Sequence, residues 1–381
     1  MKKIFIISAS LFAITVLFLG AYNFAFKNNP KNATVNEKKK IEAKAQSDSE
    51  FIGNQSQTQL ETVSDTPVFG AAVIGDNAIG FFRDGALRKF SLGGGGESVI
   101  VGGLPGKMLQ SRWSPDRSKV LALLGNTETQ LWYLIDVEHT SITSLKAGMY
   151  SPAWSNLSEK IYYFYRDEKD RTSINSAKPD GTEWKEIATA PNLLDPMSQS
   201  VPESALLSFW SRPSAFEESS LYTVSVTGGT PEKIFGQKFG ASFLWSPDGG
   251  HVLISNTLSK GGSEVRLGLA NQNGGEFHTL QVPTFTSKAV WTKDGRTVYY
   301  ALPLSLTSSA VLPDDYFGKS LVTSDSFWKL DVETGKVDRV ISPENMPGSY
   351  DSTDLFLDRN ESYLFYTNRT DNKLYRIALP K

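Results

Sequence analysis

The sequence predicts an all-β chain: a seven-bladed β-propeller of four-stranded antiparallel blades, preceded by one N-terminal transmembrane helix. Three observations carry this reading. A Trp-Ser-Pro-Asp-Gly type of turn recurs along the chain, it recurs at the interval of a propeller blade, and the one long uncharged apolar run is confined to the N-terminus.

The repeating unit is an apolar strand ending in an aromatic residue, a polar turn, and a second apolar strand. It is clearest at Trp113-Ser-Pro-Asp-Arg-Ser followed by Lys119-Val-Leu-Ala-Leu-Leu, and again at Trp245-Ser-Pro-Asp-Gly-Gly followed by His251-Val-Leu-Ile-Ser. Further copies begin at Trp154, Trp291 and Leu357, and weaker ones at Ile74 and Val201, which makes seven. The intervals between the first six markers run from 39 to 47 residues, the length of a four-stranded blade, and only the last interval, 66 residues, is long. Hairpin turns such as Pro179-Asp-Gly-Thr, Thr227-Gly-Gly-Thr and Gln272-Asn-Gly-Gly then separate a third strand from a fourth. A single four-stranded sheet is too small to hide its own faces, so blades must stack around an axis and bury their aromatic and β-branched faces on one another. Trp113, Trp154, Trp245 and Trp291 are accordingly expected to be packing groups. The Pro, Asp and Gly of the turns serve backbone geometry.

These residues resemble the TolB-like, WD-repeat-like family of bacterial propeller repeats, over Pro67 to Lys381. The resemblance implies a propeller, commonly extracytoplasmic and commonly a platform for peptides or proteins. TolB itself also has an N-terminal α/β domain, where this chain has only a polar stretch, so the resemblance does not imply a part in the Tol–Pal system.

Residues 1–27 form the membrane segment. Lys2 and Lys3 precede an uncharged run from Ile4 to Phe26, long enough for a helix to cross a hydrocarbon core of roughly 30 Å. The run exceeds a signal-peptide apolar region and lacks a small residue at the third position before the best cleavage point, so a retained anchor through residues 4–26 is preferred over a cleaved signal. Residues 28–56 are rich in Lys, Asn, Glu, Gln and Ser and cannot bury enough surface to order themselves, which makes them a stalk. Residues 57–381 form the propeller. Its seventh blade ends the chain after only three strands, and Gln57 to Ser64 has the length and alternation to supply the fourth by pairing with Leu374 to Leu379. A β-domain behind a single anchor is expected on the extracytoplasmic side of the cell membrane.

Composition excludes several functions. With 39 basic and 41 acidic residues the net charge is −2, which leaves no electrostatic footprint for nucleic acid. There is no cysteine, and His139, His251 and His278 are not spaced as zinc ligands, so no metal and no cofactor is expected. The Gly93 to Gly96 run falls in a hairpin slot and opens no helix, which favours a turn over a phosphate cradle. Neither a nucleophile elbow nor a P-loop is present.

The informative departure is an insertion in the sixth blade, Pro303 to Ser324, between its second and third strands. Loops of this length are commonly functional. Its middle brings Asp314, Asp315, Tyr316 and Phe317 together, and these four are the candidate binding residues: the aromatics to supply area, the carboxylates to steer a basic or amide-rich ligand. The alternative is that the aromatics pin the loop to its own blade. The expected partner is a protein, peptide or cell-envelope polymer bound without catalysis. The other class of reading is a propeller-type carbohydrate-active enzyme, a glycan lyase or hydrolase, with carboxylates at the channel mouth.

Overall fold

Every one of the seven predicted blades forms. The computed structural model describes residues 60–380 except 95, 127 and 305; the expected anchor and stalk lie outside the described residues. Among the described residues no helix is long and apolar enough to cross a membrane. The seven sheets each hold four antiparallel strands: blades one to six span 69–101, 107–144, 149–189, 197–239, 242–279 and 289–339. Blade seven combines 352–378 with Leu60–Thr62.

Closure joins the two expected segments. Leu60 pairs with Ile377, Glu61 with Arg376 and Thr62 with Tyr375, and the Val63 N–H continues the ladder to the Leu374 carbonyl at 2.8 Å. Arg376 holds the Glu61 carboxylate at 2.6–2.7 Å across this seam. Residues 57–59 of the expected strand lie outside the described residues.

The marker tryptophans pack between blades, and they also fasten them. Trp154, Trp245 and Trp291 are buried and Trp113 is half-buried. Each indole N–H reaches the preceding blade: Trp113 donates to the Gly70 carbonyl at 2.8 Å, Trp154 to Arg112 at 2.7 Å, Trp245 to the Ser208 hydroxyl at 2.9 Å and Trp291 to the Leu244 carbonyl at 3.3 Å. A tryptophan suits this position because its bulk fills the gap between twisted sheets while its one donor satisfies an acceptor of the preceding blade, a backbone carbonyl of the inner strand in three copies and a hydroxyl in the fourth.

The turn after each tryptophan is built on the residue that follows it. Ser246 donates to Asp248 at 2.5 Å and accepts the His251 N–H at 2.9 Å, and Ser114 with Asp116 and Thr292 with Asp294 repeat the pattern. The turn ends in a left-handed residue, Gly249 at φ 67° and Gly295 at φ 68° in two copies, but Arg117, Ser158, Glu203 and Glu361 in four others. Two substitutions of opposite sign test this geometry. Glu203→Gly removes side-chain strain at φ 51° and is expected to stabilise by about 0.5–1 kcal/mol. Gly249→Ala introduces that strain and sets a Cβ 2.2 Å from the Pro202 carbonyl of blade four, so a loss of about 2 kcal/mol or more is expected. Urea unfolding of the two variants reads both.

Candidate binding face

Each inner strand runs from one face of the propeller to the other, so the links between blades and the loops between second and third strands share one face. The insertion, 304–324, rises from this face. Its base is closed by the Leu304 N–H on the Ser324 carbonyl at 2.8 Å, and its middle forms one helical turn, Asp314–Phe317.

The insertion does not stay on its own blade. The Leu312 N–H donates to Gly262 of blade five at 3.0 Å. The Asp314 carboxylate accepts the Ala215 N–H and the Ser214 hydroxyl of the blade-four loop. Pro313 sits over Gly240 in the link between blades four and five, where a Cβ would come within 2.6 Å of its ring. On the other side Arg369 of blade seven donates to the Tyr316 carbonyl at 2.6 Å and lies over its ring, 3.9 Å from the centroid. Blades four and seven stand three steps apart in a ring of seven, roughly 150° around the axis. A single helical turn thus bridges loops of blades four and seven on this face.

The four residues named from sequence therefore divide. Tyr316 is 1% exposed, stacked on Phe285 with centroids 4.6 Å apart, and burial drives its hydroxyl pKa well above the ordinary value, the Asp351 charge adding to the effect. It offers no surface to a partner. Its ring packs among residues of blades five, six and seven, the arrangement of the alternative reading in which the aromatic pins the loop. Asp315 is half-buried and accepts the Val311 N–H at 2.7 Å and the Ser320 hydroxyl, so it folds the turn; Asp314 and Phe317 are also half-buried. Tyr316→Phe is expected to change stability by less than about 1 kcal/mol, since the phenol oxygen stands 3.4–3.5 Å from Asp351 and Ser352. Thermal unfolding with that one variant checks it.

Sequence reasoning did not find what lies beneath the pin. Lys288 is completely buried at the entrance to the inner strand of blade six. Its ammonium donates to Asp325 at 2.6 Å, Asp351 at 2.9 Å, the Ser352 carbonyl at 2.7 Å and the Thr323 hydroxyl at 3.1 Å. Arg369 balances the second carboxylate, bonding Asp351 at 2.9 Å. Burial alone would raise the Asp351 carboxyl, but the charge and hydrogen bond of Lys288, the Thr323 bond and the field of Arg369 hold it below the ordinary value. Two cations and two carboxylates thus tie blade six, blade seven and the insertion into one closed network. The only hint in the sequence is a charged residue at the start of otherwise apolar strands, Lys288 before Ala-Val-Trp291 and Asp325 before Ser-Phe-Trp328.

Around the pin the same face exposes apolar side chains on neighbouring loops: Leu194, Phe216, Leu258, Leu304 and Val322, each at least half exposed. A cleft of about 340 Å³ separates the insertion, at Ser308, Ser309 and Ala310, from the blade-five loop carrying Leu258, Gly262 and Glu264. Among the described residues no group of three or more His, Cys, Asp or Glu is placed to hold a metal ion.

No family model and no curated protein matches the chain. Solved structures do match, at identities that show the fold alone. An oligogalacturonate lyase in complex with manganese aligns at a TM-score of 0.59 with 12% identity, over 86% of this chain and 98% of its own. The oligogalacturonate lyase of Vibrio parahaemolyticus gives 0.59 and 12%, over 86% and 99%. The β-propeller domain of the trilobed protease from Pyrococcus furiosus gives 0.54 and 16%, over 83% and 94%. The class these likenesses and the sheet topology define is a seven-bladed, all-β propeller.

Proposed function

We propose that this chain is a membrane-tethered, extracytoplasmic, non-enzymatic platform of the TolB-like kind, which takes a protein, peptide or envelope polymer on the face bearing the insertion. The observation that carries this reading is the set of exposed apolar side chains on adjoining loops, Phe216, Leu258, Leu304 and Val322, beside a cleft and a pinned insertion. Exposed apolar area gathered on a rigid, polar-rimmed surface is what a partner buries. Asp314 and Phe317, half-buried at its centre, form part of that surface.

The test is proximity cross-linking on intact cells, comparing the natural chain with a Phe216→Glu, Leu304→Lys double variant. Both positions are exposed, so the variant should melt as the natural chain does while losing its cross-linked neighbours. Retention of the same neighbours would refute the reading, and protection of the propeller from protease added to spheroplasts would refute its placement.

The second reading, a glycan lyase or hydrolase, draws on the fold likeness to the oligogalacturonate lyases and on Asp354, the one carboxyl among the described residues that its surroundings push up. A carboxylate pair is the usual requirement of a hydrolase, and Asp354 stands without a second. Incubation with oligogalacturonate and with other acidic and neutral glycans, read by chain length, is expected to leave them intact.

A further inference from the structure

The cleft beside the insertion has walls from two separate blades. One is the blade-five loop, 258–264, and the other is the turn of the insertion at 308–310. Both are fixed by backbone bonds. The Leu258 N–H closes the loop on the Glu264 carbonyl at 3.1 Å, the Gly261 N–H ties it to the Ala215 carbonyl of blade four at 2.8 Å, and the Leu312 N–H holds the insertion to Gly262 at 3.0 Å. The cleft is therefore formed before any ligand arrives. At about 340 Å³ it lies near the lower end of small-molecule sites, roughly 300–1,000 Å³, which is room for a short segment of a polymer rather than for a folded partner.

The lining selects the ligand. Ser259 and Ser263 line one wall, and Ser308 and Ser309 line the other. None of these four hydroxyls bonds to another described residue, so each is free to exchange water for a ligand, and each can both donate and accept. Glu264 is the only charged residue in the lining, and the Arg266 guanidinium stands 3.5 Å from its carboxylate. That guanidinium offsets the pull on a basic peptide, while the carboxylate itself repels uronate, sulfate and phosphate groups. A neutral molecule with many hydroxyls meets neither obstacle. A carboxylate accepts from two adjacent hydroxyls, and the serines serve further ones from both walls. At the rim lie two half-exposed apolar side chains, Leu258 and Phe216. Phe216 reaches the rim because Gly261 has no side chain: a Cβ there would stand 3.2 Å from its ring. The carbon–hydrogen face of a pyranose is apolar and suits such a ring. A peptide would call for a sheet edge, an apolar groove or a charge cluster, and the cleft walls are turns and loops.

We propose that this cleft binds an uncharged segment of a glycan chain, with Glu264 and the four serines on its hydroxyls and Phe216 against the face of one ring. The inference rests on the platform reading and sharpens it, naming a neutral polysaccharide as the polymer taken on that face. Glu264 has no second carboxylate in the lining, so the cleft holds the chain without cleaving it.

The experiment is calorimetric titration of the full-length chain, in a detergent without a sugar headgroup, with cellotetraose, maltotetraose, chitotetraose and mannotetraose, and with tetragalacturonate and tetralysine as charged controls. Saturable binding of at least one neutral tetrasaccharide is expected at micromolar to millimolar concentration, with tetragalacturonate and tetralysine weaker by about tenfold or more. Two changes at exposed cleft positions should weaken that binding without moving the melting temperature: Glu264→Gln by about fivefold or more, through loss of charge-assisted bonds, and Ser309→Trp by about tenfold or more, by filling the space. The ligand comparison on the natural chain stands even if a variant fails to fold. No binding of any neutral tetrasaccharide at millimolar concentration, binding of tetragalacturonate or tetralysine as tight as that of the neutral chains, or a folded Ser309→Trp chain that binds as the natural one does would each overturn the proposal. Any of these results, together with loss of cross-linked neighbours from the Phe216→Glu, Leu304→Lys variant, would strike the glycan and leave the platform. Retained neighbours in that variant, with neutral-glycan binding by the natural chain, would do the reverse.

Discussion

Replacing Lys288 with Met is expected to destabilise the propeller by about 3–5 kcal/mol, the range for breaking a fully buried ion pair by removing one partner. The size of the effect comes from what remains. Asp325 and Asp351 would keep their negative charges next to each other with only Arg369 to balance them, and water cannot reach them because both are buried. The insertion should loosen at the same time, since Thr323 and Tyr316 rest on the same carboxylates. Hydrogen exchange should therefore show protection lost in residues 310–323 before it is lost in the blades. Acid should reproduce part of the result in the natural chain. The folded pKa of Asp351 lies below its ordinary value of 3.8, so its contribution is complete above that value and disappears as pH falls through the lower, folded one. A stability curve flat from pH 6 to pH 2, or a Lys288→Met chain with an unchanged urea midpoint, would contradict this account.

Deleting residues 60–64 is expected to cost on the order of 3–6 kcal/mol, from the lost burial of Leu60 and the lost ladder bonds to blade seven. The cost reaches beyond the missing contacts. Leu60 packs against an apolar cluster that joins blades six and seven through Phe327, Tyr366 and Ile377. Removing it also exposes the edge of Leu374–Ala378, and an unpaired edge invites another copy to add a strand. The truncated chain should unfold at lower urea and run as concentration-dependent oligomers in size-exclusion chromatography. A circular permutant that joins the natural ends and opens a turn elsewhere should regain both properties, because it restores the seam without restoring the original start of the chain. An unchanged midpoint with a monomeric elution would show that the seam is dispensable.

The blades were legible because their signals are local. Trp113, Trp154, Trp245 and Trp291 each sit within a few residues of the turn they introduce, and its Ser and Asp side chains bond backbone only two to five residues away. Even the closing strand could be read, since a blade short of one strand and a spare alternating segment are both visible as patterns. The insertion was visible as an interval of unusual length, but which of its side chains face a partner was not. Tyr316 and Phe317 are adjacent aromatics in the sequence, yet one is a buried pin and the other lies half open.

By itself, then, the sequence determined the number of blades, their order, the turn chemistry and the seam that shuts the ring, all of which follow from short-range periodicity and turn residues. The tertiary structure decided the rest. It placed Lys288 against Asp325 and Asp351, and carried the insertion from blade four to blade seven. Each of these joins residues from separate strands or blades, and a pairing of that kind has no period and no spacing to betray it. It exists only because seven twisted sheets, closed around an axis, bring their inner ends to one place.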